Sequence, residues 1–367
     1  MNTNQLQLQI ALTFLQGIGS IRARLLLSKI PDINCLFSYS LHELQHATGL
    51  SKKILKQMNR EEALIQAEKQ LGFIERNNLK TFFIQSPDYP RRLKQCEDAP
   101  MILYGQGNLD LNPLRAVAIV GTRNATEYGR EVCEKLILSL VGKNVLVVSG
   151  MAYGIDICVH QLCVKHNVPT IGVLGHGLDR LYPSAHKNTA NKMLNTGGLL
   201  TEFLPGTLPD RENFPMRNRI VAGMCDATIV VESKNKGGSL ITADLANDYS
   251  RDVFAVPGNV GQMYSEGCNQ LISASKAHLY LSPEQFLKWM DWGDNKKAAK
   301  AQRQLFSNLS IDEKTMVDLL QLEGEQHMDA LAYKSKMPIS KTSVVLFQLE
   351  MNGLVKALPG KKYVLVA

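Results

Sequence analysis

At residues 116–123 the chain reads AVAIVGTR, an apolar run rich in β-branched side chains that ends in a glycine and a basic residue. Apolar runs without alternation are typical of strands that are covered on both faces of a sheet. Amphipathic segments separate this run from further ones at 145–148, 170–174, 199–200, 227–231 and 253–256. Strands that alternate with helices predict a doubly wound, mostly parallel α/β sheet of extended Rossmann-like type over about residues 116–280.

The segments on either side of the sheet region predict further domains. Residues up to about 80 carry apolar side chains at helical spacing, which is typical of a small helical domain. The stretch 82–103 contains prolines and is predicted to be an extended link into the sheet. The tail predicts three helices and a β pair, a winged helix in which Ser340 is the N-cap of the last helix. The predicted domains are 1–80, 81–292 and 309–367, with a linker at 293–308.

The composition favours a polyanion as ligand. The 367 residues include 41 Lys and Arg against 34 Asp and Glu, which gives a net charge of +7. The seven cysteines include no C-x-x-C pair, so we expect reduced, buried thiols. The sequence shows neither an apolar run of about 18 residues nor a cationic leader, so we expect a cytoplasmic protein without a membrane span.

Ligands of open α/β sheets bind where the strands end, so the residues after each apolar run are candidates for a site. The first run is followed by Gly121, Thr122 and Arg123. Glycine permits close approach of a ligand, and arginine can hold a phosphate with two parallel N–H bonds; the alternative role for Arg123 is a salt bridge at the rim of the sheet. The turn lacks the G-x-G-x-x-G spacing of a dinucleotide site, so no nicotinamide cofactor is expected.

Residues 211–223 combine cations with the start of a helix. Pro215 suits the first turn, and cations near the positive end of a helix dipole indicate an anionic ligand. Phe214, just before that turn, can stack on an unpaired base or pack as a hydrophobic staple. The candidate binding residues of this segment are Arg211, Phe214, Arg217, Asn218 and Arg219.

The loop after the run 227–231 has the composition of a phosphate cradle. It combines Lys234 and Lys236 with Gly237, Gly238 and a helix-capping Ser239. The loop is not a Walker A motif, because no G-K-[ST] follows a glycine at the required spacing, so hydrolysis of nucleoside triphosphates is not expected.

Catalytic and metal-binding patterns are weak in this sequence. Asp156 and His160 share a helical face at i, i+4, for which a cap or an intrahelical pair is favoured over a metal site. The sequence offers no nucleophile paired with a base. We therefore expect a protein that is not an enzyme and holds no metal or cofactor.

A glycine-rich turn at 17–26 matches a helix-hairpin-helix, in which backbone amides approach a DNA phosphate, and a weaker copy lies at 47–54. Both segments are equally well explained as tight interhelical turns that need glycine for their backbone angles.

The motifs, taken in order, resemble those of the DNA-processing protein A family, also called Smf, over about residues 86–280. The matching motifs are Gly121-Thr122-Arg123, residues 149–160, Tyr182-Pro183, Phe214 to Arg219, residues 238–243 and 256–258. One departure lies in the loop, where Lys234 to Ser239 replaces the Ser-Gly-Ser of many members; a hydroxyl donor is lost at Gly237, but both lysines keep the charge.

The resemblance implies a bacterial protein that binds single-stranded DNA, protects incoming strands in natural transformation and loads the RecA recombinase. It also implies a homodimer formed through the Rossmann-like domain. Its basic DNA pocket would include Arg123, Arg211, Phe214, Asn218, Arg219 and the loop from Lys234 to Ser239.

Two other classes of function compete with this interpretation. The same core resembles nucleotide phosphoribohydrolases, although Asp244, the nearest acid after the glycines, comes later than their Gly-Thr-x-x-Glu pattern requires. A transcriptional regulator would use the winged helix, but its predicted recognition helix offers only Lys341 as a cation.

Overall fold

The computed structural model describes residues 3–293, 309–352, 354–358 and 360–365. They belong to two compact units, the first of which ends at Trp292. The predicted linker at 293–308 lies outside the described residues except for Gly293.

The first unit begins with six helices. Their starts are mostly capped by short polar side chains, as for Ser40, which forms a capping box with Glu43. Leu12, Leu26 and other buried leucines of these helices belong to the same apolar cluster as Ile102 of the sheet, so the core is continuous across residue 80; the domain boundary there stays a prediction. The helices are α1 (Thr3–Phe14), α2 (Ser20–Lys29), α3 (Ile33–Ser38), α4 (Leu41–Thr48), α5 (Lys52–Gln57) and α6 (Arg60–Arg76).

A nine-stranded sheet comes next, in the order β1-β2-β6-β5-β4-β3-β7-β8-β9. All neighbours from β6 to β9 in this order pair in parallel, which confirms the predicted mostly parallel sheet. The strands are β1 (Lys80–Phe83), β2 (Ile102–Gly107), β3 (Arg115–Val120), β4 (Val145–Ser149), β5 (Thr170–Val173), β6 (Gly198–Thr201), β7 (Ala227–Val230), β8 (Asp252–Ala255) and β9 (His278–Leu279).

The prediction that residues 82–103 form an extended link is wrong. β1 and β2 pair antiparallel with Phe83 opposite Ile102, and β2 joins the sheet antiparallel to β6. A short helix, α7 (Arg91–Lys94), lies between them with Pro90 as its N-cap. The prolines fall in the connections, where they do not interrupt a hydrogen-bond ladder.

Helices cover both faces of the sheet, as strands with apolar side chains on both faces require. Along β3, Val117 and Ile119 belong to one buried cluster, whereas Ala118 and Val120 belong to the other. The helices of this region are α8 (Glu127–Leu140), α9 (Ile155–His166), α10 (Lys187–Met193), α11 (Asn213–Gly223), α12 (Gly238–Asp248), α13 (Glu266–Ser273) and α14 (Pro283–Trp289).

The second unit has the predicted winged-helix order of elements around its own apolar core. Ser340 is not the N-cap of the last helix: that helix begins one residue earlier, at Ile339, and Pro338 is its N-cap. The elements are α15 (Ile311–Glu323), β10 (Gln326–His327), α16 (Met328–Ser335), α17 (Ile339–Met351), β11 (Val355–Leu358) and β12 (Lys362–Leu365).

Candidate nucleic-acid interface

An open cleft of about 1820 Å³ lies at the carboxyl ends of the central strands. The chain runs from β3 through β4 and β5 to β6 on one side, and β7 and β8 lie on the other, so the strand order reverses between β3 and β7. Crevices form at such switch points because the connections leave in opposite directions. The fold therefore brings the turns after β3 and β7 and the start of α11 to one place, as the sequence predicted.

The turn after β3 is held rigidly. The Thr122 amide donates to the Glu232 carbonyl at 2.8 Å, and the Thr122 carbonyl accepts from the Ile155 amide at 3.1 Å. A Cβ atom on Gly121 would lie 2.6 Å from Ile155 Cγ1, so only glycine fits there. Gly121 and Thr122 line the cleft but act mainly by shaping the turn that presents Arg123.

Arg123 projects into the cleft and is exposed. Its guanidinium carbon lies 5.5 Å from the centre of the Phe214 ring, a cation–π contact. Within the described part of the chain Arg123 has no ion-pair partner, so the structure does not show the alternative role at the rim of the sheet. Its charge is available to a ligand.

The first two turns of α11 and the residue Arg211 before them bring four of the predicted residues to the cleft. Arg211 is exposed just before the helix, and Arg217 and Asn218 line the wall, with the Arg217 guanidinium buried against the Val173 carbonyl. Phe214 is the second residue of the helix rather than the residue before it. Its half-buried ring lies 6.3 Å from the ring of Tyr182 and remains part of the lining, so it is not enclosed as a staple.

Arg219 does not join the cleft, which corrects its place among the predicted ligands. It contacts the Glu202 carboxylate and the Asp98 carbonyl, and its side chain is only 13% exposed. Because consecutive helical residues are turned by about 100°, Arg219 points away from the cleft toward the groove beside α2, where it holds α11 in place.

The loop after β7 forms the opposite wall. Lys234 and Lys236 are exposed and, among the described residues, have no ion-pair partner. Ser239 is not a cap: it is the second residue of α12 and its buried hydroxyl donates to Ser233 Oγ at 2.9 Å. A Cβ atom at Gly237 would lie 2.2 Å from Ser233 Oγ, so this glycine provides room for the serine pair.

Three helices start at the cleft without a side-chain cap. The N-caps of α9, α11 and α12 are Gly154, Glu212 and Gly237, and none of them forms a cap hydrogen bond through its side chain. At α12 the uncapped start leaves backbone N–H groups that favour an anion. At α9 the Ile155 and Ile157 amides already donate to the Thr122 and Ala152 carbonyls, and at α11 the Asn213 amide donates to the Asp210 carbonyl. These two starts offer mainly the positive end of the helix dipole. Gly238, the first residue of α12, is exposed and lines the cleft together with Lys234 and Lys236.

The floor of the cleft contains a buried acid. Asp156, in the first turn of α9, is 6% exposed, and burial raises its pKa to about 6 against the pull of Arg217. His160 bonds to Gly150 and Thr170 rather than to Asp156, and burial lowers its pKa to about 4. The predicted intrahelical pair is therefore not formed.

Aromatic residues that sequence reasoning did not assign extend the cleft. Tyr153 and Tyr182 line a shallow adjoining hollow that shares Arg123, Phe214 and Arg217 with the cleft. At the other end the Tyr264 hydroxyl accepts from Asn124 Nδ2 at 3.1 Å. Tyr153 and Tyr182 come after β4 and β5, so the rule that ligands bind at strand ends would have found them.

Sites of other kinds find no support in the residues that the structure describes. In these ranges no cluster of three or more His, Cys, Asp or Glu side chains could bind a metal. The helices of the same ranges include none with the length and apolar character needed to cross a membrane. Five of the seven cysteines are buried, whereas Cys35 and Cys158 are partly exposed.

Comparison with known proteins finds relatives of this chain in sequence. Residues 80–291 match the family described as DNA recombination-mediator protein A, and residues 299–361 match the DprA winged helix domain. The chain is 33% identical over 343 residues to protein Smf of Synechocystis, covering 81% of this chain and 85% of the relative. It is 42% identical over 192 residues to DNA processing protein DprA of Streptococcus pneumoniae, covering 52% and 68%.

Two solved structures have the same fold. DNA processing protein A from Streptococcus pneumoniae superposes with a TM-score of 0.65 at 32% identity, covering 78% of this chain and 97% of that one. The protein from Helicobacter pylori, described as having a unique single-stranded DNA binding mode, gives a TM-score of 0.53 at 27% identity, covering 58% and 95%. The chain therefore belongs to the DNA-processing protein A (DprA/Smf) family.

Proposed function

We propose that this protein binds single-stranded DNA in the cleft between the turn after β3 and the loop after β7, and that it does so without catalysis. The observation that carries the proposal is a set of four exposed cations that have no ion-pair partner among the described residues and that line the cleft beside the uncapped start of α12: Arg123, Arg211, Lys234 and Lys236. Such a surface neutralises several phosphates at once.

The aromatic hollow favours a single strand over a duplex. Phe214, Tyr153 and Tyr182 lie within reach of the cations that would hold the backbone. An unpaired base can leave its neighbours and stack on such rings, whereas a base in a duplex is already stacked and paired. Because every base has a face that can stack on an aromatic ring, binding should tolerate any sequence. The Helicobacter pylori relative, with its single-stranded DNA binding mode, supports the same assignment.

The wider role follows from the family. We propose a part in DNA processing during recombination, with protection of incoming strands, loading of RecA and homodimer formation through the sheet domain, each supported by the family resemblance. A pull-down with RecA on oligonucleotide-coated beads tests the partner. Retention of RecA in the presence of this protein, above the level that the coated beads hold alone, is the expected result.

Fluorescence anisotropy with labelled oligo-dT tests the binding itself. We expect affinity that falls steeply between 50 and 200 mM salt and is weaker for duplex of the same length. Equal or tighter binding to the duplex would contradict the proposal. Substitution of both Arg123 and Lys236 by alanine should weaken binding. The control is Lys165→Ala, which removes an exposed lysine of α9 that is paired with Glu134.

The competing functions find less support. Asp244, the acid that a phosphoribohydrolase would need, pairs with Lys276 at 2.9 Å and does not line the cleft. Release of free base from nucleoside monophosphates would revive that alternative. In the winged helix, Lys341 is paired with Asp312 at 2.6 Å, and α17 exposes Val344 and Phe347 instead of cations. This surface suits a protein contact better than a major groove.

A further inference from the structure

Asp156 stands out in the cleft because of its charge. The lining contains Arg123, Arg211, Arg217, Lys234 and Lys236 as cations, and Asp156 is the one acid among the described residues that line it. A site that only had to attract phosphates would gain affinity from a neutral residue at this position. The placement of a carboxylate at the floor therefore calls for a physical role.

The Asp156 carboxylate lies close to the Arg217 guanidinium without a direct ion pair among the described residues. Arg217 is the nearest source of positive charge, yet among the described residues the two side chains form no ion pair, and Gly150 lies between them. A Cβ atom at Gly150 would lie 2.2 Å from Arg217 Nη1 and 2.4 Å from Asp156 Oδ2. The Asp156 carboxylate accepts a long bond, at 3.4 Å, from the Ala152 amide, and the Ser149 side chain also stabilises its charged form. The charge that these contacts leave uncompensated acts on a ligand in the cleft.

The charged and titratable groups around Asp156 come from several elements. Arg217 faces it from α11 and Arg123 from the turn after β3. On its own helix His160 lies one turn further and is buried, and His186 of the neighbouring 3₁₀ turn is buried with its Nδ1 2.8 Å from the Met151 carbonyl. Asp156 is thus the group on the floor of the cleft whose negative charge would repel a ligand phosphate.

Resting on the function proposed above, we propose that Asp156 is a specificity-determining residue that limits the negative charge the cleft accepts. The singly charged phosphodiesters of a polynucleotide then bind in preference to doubly charged phosphate monoesters, and a bound strand is accompanied by uptake of one proton from solvent at Asp156. A phosphate near the carboxylate favours the protonated acid, and by linkage a proton on the acid favours the phosphate.

The sign of the pH dependence follows from this linkage. Burial already places the pKa of free Asp156 at about 6, and a bound phosphate raises it further. The affinity for a strand should therefore be highest below pH 6 and fall as the pH rises from 6 toward 7.5. One linked proton limits the fall to about tenfold per pH unit.

The experiment compares the full-length protein with Asp156→Asn, which removes the charge and keeps the shape. Binding of labelled (dT)12 is measured by anisotropy from pH 5.5 to 7.5 at constant ionic strength. At pH 7.5 the bound label is also displaced with thymidine 5′-monophosphate, a dianion, and with its singly charged methyl ester. Glu131→Gln, which removes an exposed charge on α8 near Lys135, is the matched control.

We expect the native protein and the control to lose affinity at least threefold across this range and to prefer the methyl ester. Asp156→Asn should lose less than 1.5-fold, bind more tightly at pH 7.5, and accept both competitors alike. An Asp156→Asn profile as steep as the native one, or a flat native profile, overturns the inference while leaving the proposed function intact. Failure of the native protein to bind (dT)12 at any pH overturns the proposed function itself.

Discussion

Neighbouring arginines on α11 illustrate how single residues divide between binding and stability. Arg217 lines the cleft, whereas Arg219, two positions along the same helix, is locked to Glu202 on the other side. The cations that remain for a ligand are those with exposed side chains and no carboxylate partner in the described part of the chain, such as Lys236. Partner geometry, and not charge alone, separates the two groups.

Lys236→Ala should lower the affinity for single-stranded DNA about fivefold at 0.1 M salt, because one phosphate loses its counter-charge. The slope of log affinity against log salt should become less steep by about 0.7. Anisotropy titrations across a salt series measure both quantities. Lys165→Ala, which removes an exposed lysine paired with Glu134, should leave the slope unchanged; an equal change in both variants would assign the effect to net charge.

Arg219→Leu should lower the free energy of unfolding by about 3 kcal/mol, since it leaves Glu202 as a largely buried, uncompensated charge. The folded fraction should still bind DNA within twofold of the native affinity. Urea denaturation measures the first effect. The double variant Arg219→Leu with Glu202→Leu should recover part of the loss, and a double variant weaker than either single one would contradict this account.

Asp156→Asn should stabilise the fold above pH 6. In the folded chain burial raises the pKa of Asp156 from 3.8 to about 6, so the native fold is penalised once this acid ionises. The loss of folding free energy caused by ionised Asp156 is absent below pH 4 and grows from pH 4 to 6. Above pH 6 it stays constant at up to about 3 kcal/mol. Thermal unfolding should show a higher Tm for the variant at pH 7.5 and equal Tm values near pH 4. A lower Tm at pH 7.5 would contradict this reasoning.

Among the helices and strands, the cleft depends on how closely α9 approaches the turn after β3. Gly154, the N-cap of α9, has φ +79° and ψ −124°, a conformation that is essentially restricted to glycine. A Cβ atom there would lie 2.2 Å from the Thr122 carbonyl oxygen. The start of α9 and the Arg123 turn are therefore one structural feature.

Gly154→Ala should destabilise the protein by more than about 2 kcal/mol and weaken DNA binding, since both the backbone strain and the collision act on the turn. Gly142→Ala is the matched control: its φ is +73°, but nothing lies within 4 Å of the added atom. It should cost about 1 kcal/mol and leave binding unchanged. Denaturation and anisotropy distinguish the two, and equal effects on binding would show that the approach of α9 does not matter.

Across the molecule, the two units have separate apolar cores. Met316, Leu346 and Leu349 belong to a cluster confined to the second unit, whereas the clusters of the sheet and of α1 to α6 lie within the first. The residues proposed to bind DNA all belong to the first unit.

A protein truncated after Trp292 should fold and retain single-strand affinity within twofold of the full chain, because it keeps the cleft and its complete cores. Circular dichroism and anisotropy test the two expectations. A tenfold loss of affinity in a folded truncation would show that the winged helix contributes to DNA binding.

Much of the fold was evident from local pattern. Uninterrupted apolar runs predict strands covered on both faces, and the winged-helix elements are indicated by period and turn signals, because both depend on neighbouring residues only. The membership of β1 and β2 in the sheet was missed, since β2 pairs with β6, whose residues are distant in sequence: Tyr104 lies opposite Thr201. The Arg123 turn and the loop after β7 were likewise predictable from the residues that follow a strand, whereas the residues of α11 were indicated by the cations near the start of a helix.

Residue order alone implies that cations and glycines gather where the central strands end, because parallel strands place their carboxyl ends at one edge. Which of them face a ligand depends on the packing of the folded chain. A helix turns each successive residue by about 100°, so whether Arg219 binds DNA or Glu202 depends on the elements that pack against each side of α11. The same packing places Asp156 on the floor among five cations, a matter of burial and distance that residue order does not encode.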